Sequence, residues 1–307
     1  MSRHVAVLMG GWSAEREVSL VSGQAVVDAL KDRGWRVTEV DVGRDIADVL
    51  TEVGPDLVFN SLHGRWGEDG CIQGLCEILK IPYTHSGVLA SAAAMNKDVA
   101  RRLFAAAGIS CPKGEVASRE EAFAGQVMPP PFVVKPLNEG SSVGVKIVMG
   151  EGDLRALSAE MTGDDAPTDR VLVEQFIPGR EVTVAVMGDR ALGVLEITPI
   201  GEFYDYDAKY TEGKSEHVLP APIDASAYDE ALNLALRAHR ALGCRGVSRA
   251  DLRYDDTTGE PGDLYMLEVN TQPGLTPMSL VPEIAAFAGT GFGDLVEWML
   301  EDAGCDR

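Results

Sequence analysis

The sequence predicts an α/β protein, α+β overall, with a parallel sheet at its N-terminus and antiparallel strands beyond it. The first part repeats strand–helix units: an apolar strand at His4–Met9, a Gly10-Gly11 turn and a helical pattern over residues 19–30. Predicted strands at residues 36–40 and 56–59, with a helical segment between them, continue the alternation. Such alternation is typical of a parallel sheet covered by helices.

The later part of the chain favours antiparallel pairing. Strands over residues 182–187 and 191–197 are separated only by Gly188-Asp189, which predicts a hairpin. A chain of 307 residues also exceeds one comfortable hydrophobic core, so two or three subdomains are expected. The first boundary is expected near residues 89–95, before Asn96, which can cap the next helix.

Composition limits the partners that the protein can have. The formal net charge of −21 opposes binding to nucleic acid or to an anionic membrane, because both require a basic surface. The five cysteines are odd in number and form no C-x-x-C pair, which favours reduced thiols over disulfides or a zinc site. Without a signal-peptide pattern or an apolar run long enough to cross a bilayer, the sequence predicts a soluble, cytoplasmic protein.

Two strands near the C-terminus carry the most informative side chains. Because side chains alternate across a strand, Glu268 and Asn270 share one face of the strand that ends there. The same alternation places Arg249 beside Asp251 on a second strand. If these strands pair, three oxygen-bearing side chains and a guanidinium converge, which suits Mg²⁺ and phosphoryl transfer. The alternative is that the carboxylates are solvated and Asn270 begins a turn.

Two lysines lie where an acidic, nucleotide-binding protein would need them. Lys97 lies in the first turn of a predicted helix, where a cation opposes the helix dipole. Lys135 ends an apolar strand before a Gly/Ser-rich turn at residues 139–144, whose backbone N–H groups can wrap phosphate oxygens. The alternative for this second segment is a hairpin with a surface lysine.

Further candidates lie in loops. His63 begins the glycine-rich segment HGRWGEDGCIQG, and loops that follow parallel strands often bind ligands, although a structural histidine is the alternative. Glu15 precedes a helix, where it either faces a ligand amine or favours the helix N-terminus. Lys209 and Tyr210 lie within a polar and aromatic segment, residues 202–220, that has no periodicity and is therefore either functional or disordered.

Taken in order, these motifs resemble one family, the D-alanine–D-alanine ligases of the ATP-grasp superfamily. The resemblance spans nearly the whole chain and rests on SAEREVSLVSG from Ser13, LHGRWGEDGCIQG from Leu62, MNKDVAR from Met95, VVKPLNEGSSVGV from Val133, VLVEQFIPGRE from Val171, FYDYDAKY from Phe203, SRADLR from Ser248 and LEVNTQPGLTPMSLVP from Leu267. It implies an ATP-grasp fold in which two α+β subdomains enclose ATP.

The implied parts are an N-terminal α/β domain at residues 1–93, a central subdomain at residues 94–180 and a C-terminal subdomain at residues 181–307. The first would hold one D-alanine and the contacts of a homodimer. The second would carry the phosphate lid, and the third the metal site and a mobile loop.

The resemblance implies an enzyme that uses ATP to join two D-alanines for peptidoglycan, through a D-alanyl phosphate. The implied ATP-binding residues are Lys97, Lys135, Glu139, Gly140, Ser141, Ser142, Val143, Glu174, Gln175, Phe176, Ile177, Glu181 and Lys209. The implied ligands of two Mg²⁺ ions, or of Mn²⁺, are Asp251, Glu268 and Asn270. Substrate binding is implied for Glu15, His63, Arg249, Gly274, Ser279 and Leu280, and catalysis for Glu15, Ser141, Tyr210, Arg249 and Gly274.

The resemblance also implies how these residues act. Glu15 would face the ammonium of the first D-alanine, and Arg249 with the backbone N–H of Gly274 would stabilise an oxyanion. Closure of the loops at residues 139–144 and 204–214 would exclude water, because an acyl phosphate hydrolyses.

The chain departs from the family pattern at two places. Gln175 stands where many relatives have lysine, and Leu137-Asn138 replaces a common Ser-Arg before the lid. ATP use is expected to survive the first change, because backbone groups can still bind the base, whereas the second bears on the affinity of the lid.

Two rival functions remain: a ligase that forms D-alanyl-D-serine or D-alanyl-D-lactate, and a non-catalytic nucleotide-binding regulator. Lys209-Tyr210 argues against the lactate version, and the presence of Arg249 with the metal-binding set argues against the regulator.

Overall fold

A computed structural model describes residues 3–138, 140, 144–159, 170–199 and 215–306. Within these residues the strands form three sheets. The parallel sheet consists of β1 (His4–Met9), β2 (Arg36–Asp41) and β3 (Leu57–Asn60). The central sheet consists of β4 (Gly114–Ser118), β5 (Phe132–Pro136), β6 (Lys146–Val148) and β7 (Arg170–Gln175). The third sheet consists of β8 (Arg180–Met187), β9 (Arg190–Pro199), β10 (Ser215–Val218), β11 (Val247–Asp255) and β12 (Asp263–Asn270).

The helices of the described part begin with α1 (Arg16–Asp32), α2 (Ile46–Val53), α3 (Cys71–Leu79), α4 (Val88–Met95) and α5 (Lys97–Ala106). They continue with α6 (Arg119–Phe123), α7 (Glu151–Ala159), α8 (Ala225–Leu242), α9 (Leu280–Phe287) and α10 (Phe292–Asp302). None of the helices in this part of the chain has the length and apolar character that a membrane crossing requires.

The parallel sheet confirms the prediction for the N-terminal part. Its order is β2–β1–β3, and the central strand β1 is buried along its whole length. Val5 and Val7 belong to one core and Ala6 and Leu8 to another, because alternate side chains face opposite sides of the sheet. Helix α1 extends beyond the predicted residues 19–30 at both ends.

The third sheet is antiparallel, with the order β10–β9–β8–β11–β12. It contains the predicted hairpin of β8 and β9. Val182, Val184 and Val186 pack beneath the amphipathic helix α8, which ends before Gly243 in the left-handed conformation that favours glycine. Ala185 lies on the other face of the sheet and belongs to the same buried cluster as Val5 and Val7 of β1.

The central sheet has the order β4–β7–β5–β6, is antiparallel, and has its own small core. The sequence patterns predict β5, β6 and β7 but not β4, because GEVAS has no apolar alternation and lies at a partly exposed edge. They also do not predict α4, which occupies the expected boundary near residues 89–95. Its sequence, VLASAAAM, is too rich in small residues to show a polar face.

The N-terminal and C-terminal parts share one hydrophobic core. Val7 of β1 and Val27 of α1 belong to the same buried cluster as Leu195 of β9 and Val296 of α10. At its edge, Arg33 forms an ion pair with Asp294 at 2.5 Å. The C-terminal residues return to the N-terminal domain, where Gly304 forms a backbone bridge with Tyr83. The described residues of the central sheet belong to a separate buried cluster.

Two buried histidines predict a loss of stability in acid. Burial lowers the pKa of His85 from 6.5 to about 3 and that of His239 from 6.5 to about 4. The charges of His63 and Arg240, respectively, lower these pKa values further. The unfolded chain would bind protons at these histidines below about pH 6.5, whereas the folded chain does not, so stability falls as the pH decreases from there.

His239→Gln tests this expectation, because it removes one of the two groups. The free energy of unfolding of the wild type should decrease between about pH 6.5 and 4, with each histidine contributing up to about 1.4 kcal/mol per pH unit. The variant should show a shallower decrease in urea unfolding measured over the same range. An unchanged slope would show that His239 already titrates normally in the folded protein.

Candidate active site

The strands β11 and β12 bring together the four side chains singled out near the C-terminus. In their antiparallel register Asp251 lies opposite Glu268, and Arg249 lies opposite Asn270. A register shift directly after Asp251 marks an irregularity of the kind that re-aims side chains beside active sites. The pairing predicted for these two strands, and with it the convergence of the four side chains, is therefore confirmed.

Asp251 is held from two sides. Arg249 donates from Nε to Oδ1 at 2.8 Å and from Nη2 to Oδ2 at 2.7 Å, a bidentate pair that fixes the plane of the carboxylate. Thr183 of β8, which is fully buried, donates from Oγ1 to Asp251 Oδ1 at 2.7 Å. Sequence reasoning missed Thr183, although it lies opposite Asp251 in the β8–β11 register.

Glu268 faces a cation from another part of the chain. Lys97 Nζ lies 3.3 Å from Glu268 Oε2, and only 8% of Lys97 is exposed. Asn96 caps helix α5 as predicted, accepting from the backbone N–H of Val99 at 3.0 Å. The backbone N–H of Lys97 donates to the Leu137 carbonyl at 2.9 Å, which joins the start of α5 to the segment before the glycine-rich turn.

A single cleft contains the four strand side chains, Lys97 and six of the other predicted residues, whereas Lys135, Glu174 and the residues that follow Glu174 do not line it. The predicted residues that line it are Glu15, His63, Lys97, Gly140, Arg249, Asp251, Glu268, Asn270, Gly274, Ser279 and Leu280. They come from the N-terminal loops, from α5, from β11 and β12, and from the turn before α9. The cleft thus combines acidic, basic and backbone donor groups that are far apart in the sequence.

The N-terminal side of the cleft is organised around His63, which is buried. Its Nδ1 lies 3.1 Å from Glu68 Oε1, and its Nε2 lies 3.2 Å from Ser22 Oγ. Glu15 Oε2 lies against Gly64, whose φ of +69° is in the left-handed region that favours glycine. Sequence reasoning missed Glu68, although this buried carboxylate follows His63 by five residues in the same glycine-rich loop.

The opposite side of the cleft is a tight turn between β12 and α9. A Cβ on Gly274 would lie 2.9 Å from Ser279 Oγ, so a larger residue there would require Ser279 to shift. Ser279 Oγ accepts from the backbone N–H of Thr276 at 2.9 Å instead of capping α9. Ser279 and Leu280, at the N-terminus of α9, both line the cleft, so the positive end of this helix dipole lies beside it.

The residues expected around adenine and ribose lie on β7 and the segment that follows it. Glu174 is buried, and its carboxylate lies 2.5 Å from Lys135 Nζ and 3.7 Å from Arg101 Nη1. The backbone N–H of Gln175 donates to the Lys113 carbonyl at 2.7 Å, and that of Phe176 to the Pro131 carbonyl at 3.3 Å. Both groups are thus already used within the fold.

Arg253, which sequence reasoning did not select, holds the end of this segment. It donates from Nε to the Ile177 carbonyl at 3.2 Å and from Nη2 to the Gly179 carbonyl at 2.7 Å. Its Nη1 lies 3.8 Å from the carboxylate of Glu181, the expected ribose ligand. Burial lowers the pKa of Arg253 below its usual value, and the carboxylates of Glu181 and Asp255 oppose that effect.

Several predicted residues lie outside the described residues. They are Glu139, Ser141, Ser142, Val143, Lys209 and Tyr210, together with the loop at residues 204–214. Their expected roles remain predictions.

The donor set in the cleft fits a hard divalent cation. Asp251 and Glu268 supply carboxylate oxygens and Asn270 an amide oxygen, the ligand types that Mg²⁺ prefers. In the described part of the chain no group of three or more His, Cys, Asp or Glu residues is placed to hold a metal ion. Asn270 Oδ1 accepts from the backbone N–H of Gln272 at 2.7 Å, which orients this amide.

The sequence of this chain was compared with known protein families and with related proteins. Family models described as the D-ala D-ala ligase N-terminus and the D-ala D-ala ligase C-terminus match residues 43–86 and 107–301. The D-alanine–D-alanine ligase of Parvibaculum lavamentivorans is 59% identical over 307 residues, 100% of this chain and 99% of the relative. The chain belongs to the D-alanine–D-alanine ligase family. The family resemblance inferred from the motifs is thereby confirmed.

Solved structures of this family agree with the fold. The D-alanine–D-alanine ligase of Bacillus anthracis superposes with a TM-score of 0.82 at 28% identity, covering 98% of this chain and 97% of that one. The same ligase complexed with ATP gives a TM-score of 0.79. The D-Ala:D-Ser ligase VanG of Enterococcus faecalis gives 0.79 at 30% identity, covering 98% and 99% of the two chains. The ATP-grasp fold expected from the sequence is thus confirmed.

Proposed function

We propose that this member of the D-alanine–D-alanine ligase family uses ATP to join two D-alanines, through a D-alanyl phosphate, for peptidoglycan synthesis. The observation that supports this most strongly is the register of β11 and β12, which places Asp251 opposite Glu268 and Arg249 opposite Asn270. The same cleft contains Glu15 and His63, a carboxylate and an imidazole suited to the two charged ends of an amino acid. A regulator without turnover would have no need to keep all of these groups.

In the first step, a carboxylate oxygen of one D-alanine attacks the γ-phosphorus of ATP, and ADP leaves. Glu15 binds the ammonium of this D-alanine and His63 its carboxylate. Lys97 and Lys135 balance the charge of the phosphates, which matters because phosphoryl transfer depends mainly on positioning and charge. Asp251, Glu268 and Asn270 would hold two Mg²⁺ ions or Mn²⁺, which when bound neutralise charge on the phosphates.

In the second step, the amine of the other D-alanine attacks the acyl carbon. The resulting oxyanion lies between Arg249 and the backbone N–H of Gly274. The tetrahedral intermediate then collapses, phosphate leaves, and the nitrogen loses its proton, so that one peptide bond replaces one acyl phosphate bond. Ser279 and Leu280, at the N-terminus of α9, form the wall for the carboxylate of this second D-alanine.

The nucleotide site is proposed to lie between the central and third sheets. Because the N–H groups of Gln175 and Phe176 are used within the fold, Ile177 is the next backbone position available to bind adenine. Glu174 then acts by holding Lys135, and Glu181 binds ribose. Glu139, Ser142, Val143 and Lys209 would join Gly140 in covering the phosphates, and Ser141 and Tyr210 would complete a hydrogen-bonded group with Glu15.

Three further proposals concern organisation. The domain limits are residues 1–93, 94–180 and 181–307, and the protein works in the cytoplasm.

The third proposal is that the protein is a homodimer that associates through its N-terminal domain. Light scattering coupled to size exclusion should give twice the 32.8 kDa mass of one chain. A mass of one chain at micromolar concentration would contradict the dimer.

Purified protein with ATP and Mg²⁺ should release ADP rapidly with D-alanine and more than about 10²-fold more slowly with L-alanine. The reason is that the site must bind ammonium, carboxylate and methyl group in one fixed arrangement. The products should be separated by mass in the presence of D-alanine alone, and with added D-serine or D-lactate. Predominance of a mixed product would replace the proposed activity with that of a D-serine or D-lactate ligase, and no ADP release would favour a regulator.

A further inference from the structure

A buried pair of amides joins the two sides of the cleft. Gln272 follows β12, and Asn60 is the last residue of β3; each is 1% exposed. Asn60 Nδ2 donates to Gln272 Oε1 at 2.5 Å, and Gln272 Nε2 donates to the carbonyl of Leu62. These residues are more than 200 positions apart in the chain, so the contact connects the C-terminal and N-terminal parts directly.

On the N-terminal side, the pair fixes the loop that carries His63. Asn60 donates to the Gly67 carbonyl at 3.0 Å and accepts from the Leu62 backbone N–H through Oδ1 at 3.2 Å. Together with the bond from Gln272 to Leu62, these contacts hold both flanks of His63. The position of His63 is therefore coupled to the position of Gln272.

On the C-terminal side, the pair is attached to the cation-binding strand end. The backbone N–H of Gln272 donates to Asn270 Oδ1 at 2.7 Å. Two residues further along, Gly274 lines the cleft. A short covalent and hydrogen-bonded path thus runs from the metal-binding amide, through Gln272, to the histidine of the first substrate site.

We propose that Gln272 is a positioning residue. It sets the distance between the first D-alanine and the end of β12 that carries the proposed cation ligands. This inference rests on the proposed function. Its physical basis is that the attacking carboxylate and the γ-phosphorus are held by different parts of the chain, and a misplacement of about 1 Å can cost about 10²-fold in rate. A buried amide with several partners holds such a distance well, because losing one bond leaves other buried groups unsatisfied.

Gln73 provides a matched control. It is also 1% exposed, and its Nε2 donates to the Gly67 carbonyl at 2.8 Å, so it contacts the same loop. It lies on α3, however, within the N-terminal part, and does not reach β12. Gln272→Asn and Gln73→Asn therefore make the same chemical change at equal burial, and only the first shortens the connection between the two sides of the cleft.

The test measures kcat and KM for D-alanine, the Kd for ATP, and the Tm of the wild type and both variants. Gln272→Asn should lower kcat/KM for D-alanine by about 10²-fold while the Kd for ATP changes by less than about twofold. Gln73→Asn should lower kcat/KM by less than about threefold. A purely structural role would lower Tm and the active fraction, leaving KM for D-alanine unchanged.

Equal effects of the two substitutions, or a parallel loss of ATP affinity in Gln272→Asn, would overturn the inference. If Gln272→Asn does not fold, Gln272→Glu is measured in the same way. Glutamate keeps the length of the side chain and an oxygen that accepts from Asn60, but it cannot donate to the Leu62 carbonyl. Activity within about threefold of wild type in that variant would also overturn it. A wild type that releases no ADP with D-alanine would instead overturn the proposed function, and this inference with it.

Discussion

Replacing Glu268 by glutamine is expected to lower D-alanine-dependent ADP release on the order of 10³-fold while the protein stays folded. The substitution keeps the shape of the side chain and removes one of the two carboxylates of the proposed cation site. It also removes the charge that faces Lys97 at 3.3 Å, so this buried ammonium is no longer balanced by Glu268. Coupled ADP release should be measured over a range of Mg²⁺ concentrations, because a weakened cation site requires more Mg²⁺ for half-maximal activity.

Asp263→Asn is the matched control for this experiment. Asp263 begins the same strand, β12, but is exposed and lies outside the cleft. Its substitution should leave the rate within about twofold of wild type. If Glu268→Gln retains wild-type turnover and Mg²⁺ dependence, Glu268 does not belong to the cation site.

Arg249→Lys is expected to lower dipeptide formation by about 10² to 10³-fold, although the positive charge is kept. A lysine cannot reproduce the two parallel hydrogen bonds, at 2.8 and 2.7 Å, by which Arg249 holds both oxygens of Asp251. It also presents a single, differently placed charge to the oxyanion of the proposed second step. The ligation step should therefore suffer more than the formation of acyl phosphate.

The ratio of ADP released to dipeptide formed reports this difference. In the wild type the ratio should be close to one, whereas in Arg249→Lys it should rise as acyl phosphate is lost to water. Arg240→Lys, at an exposed position on α8, serves as the control and should leave the ratio unchanged. If ADP release and dipeptide formation decrease by the same factor in Arg249→Lys, then Arg249 acts in the first step alone.

The sequence predicts those parts of the fold and site that depend on local patterns. Period-two alternation was sufficient to place Glu268 with Asn270 and Arg249 with Asp251, because side-chain direction along a strand is a local property. The cap at Asn96 and the glycine turns likewise indicated where helices and strands begin or end, because these signals are also local.

Contacts between distant segments could not be predicted in this way. Thr183 supports Asp251 only because β8 pairs with β11, and Arg101 of α5 reaches Glu174 of β7 only in the folded chain. Glu68 was missed for a different reason: a carboxylate in a glycine-rich loop has no periodicity that would indicate which way it points. Pairing registers and packing of separate elements, rather than local propensity, determine these contacts.

The core that β1 and α1 share with α10 has a consequence for how the protein is made. During synthesis on the ribosome, the N-terminal domain emerges first, yet Val7 and Val27 are covered by residues such as Val296 that emerge last. Its apolar face must therefore stay exposed, or be shielded by a chaperone, until almost the entire polypeptide has been translated. The central sheet, whose core is self-contained, can form earlier, so the order of folding need not follow the order of the chain.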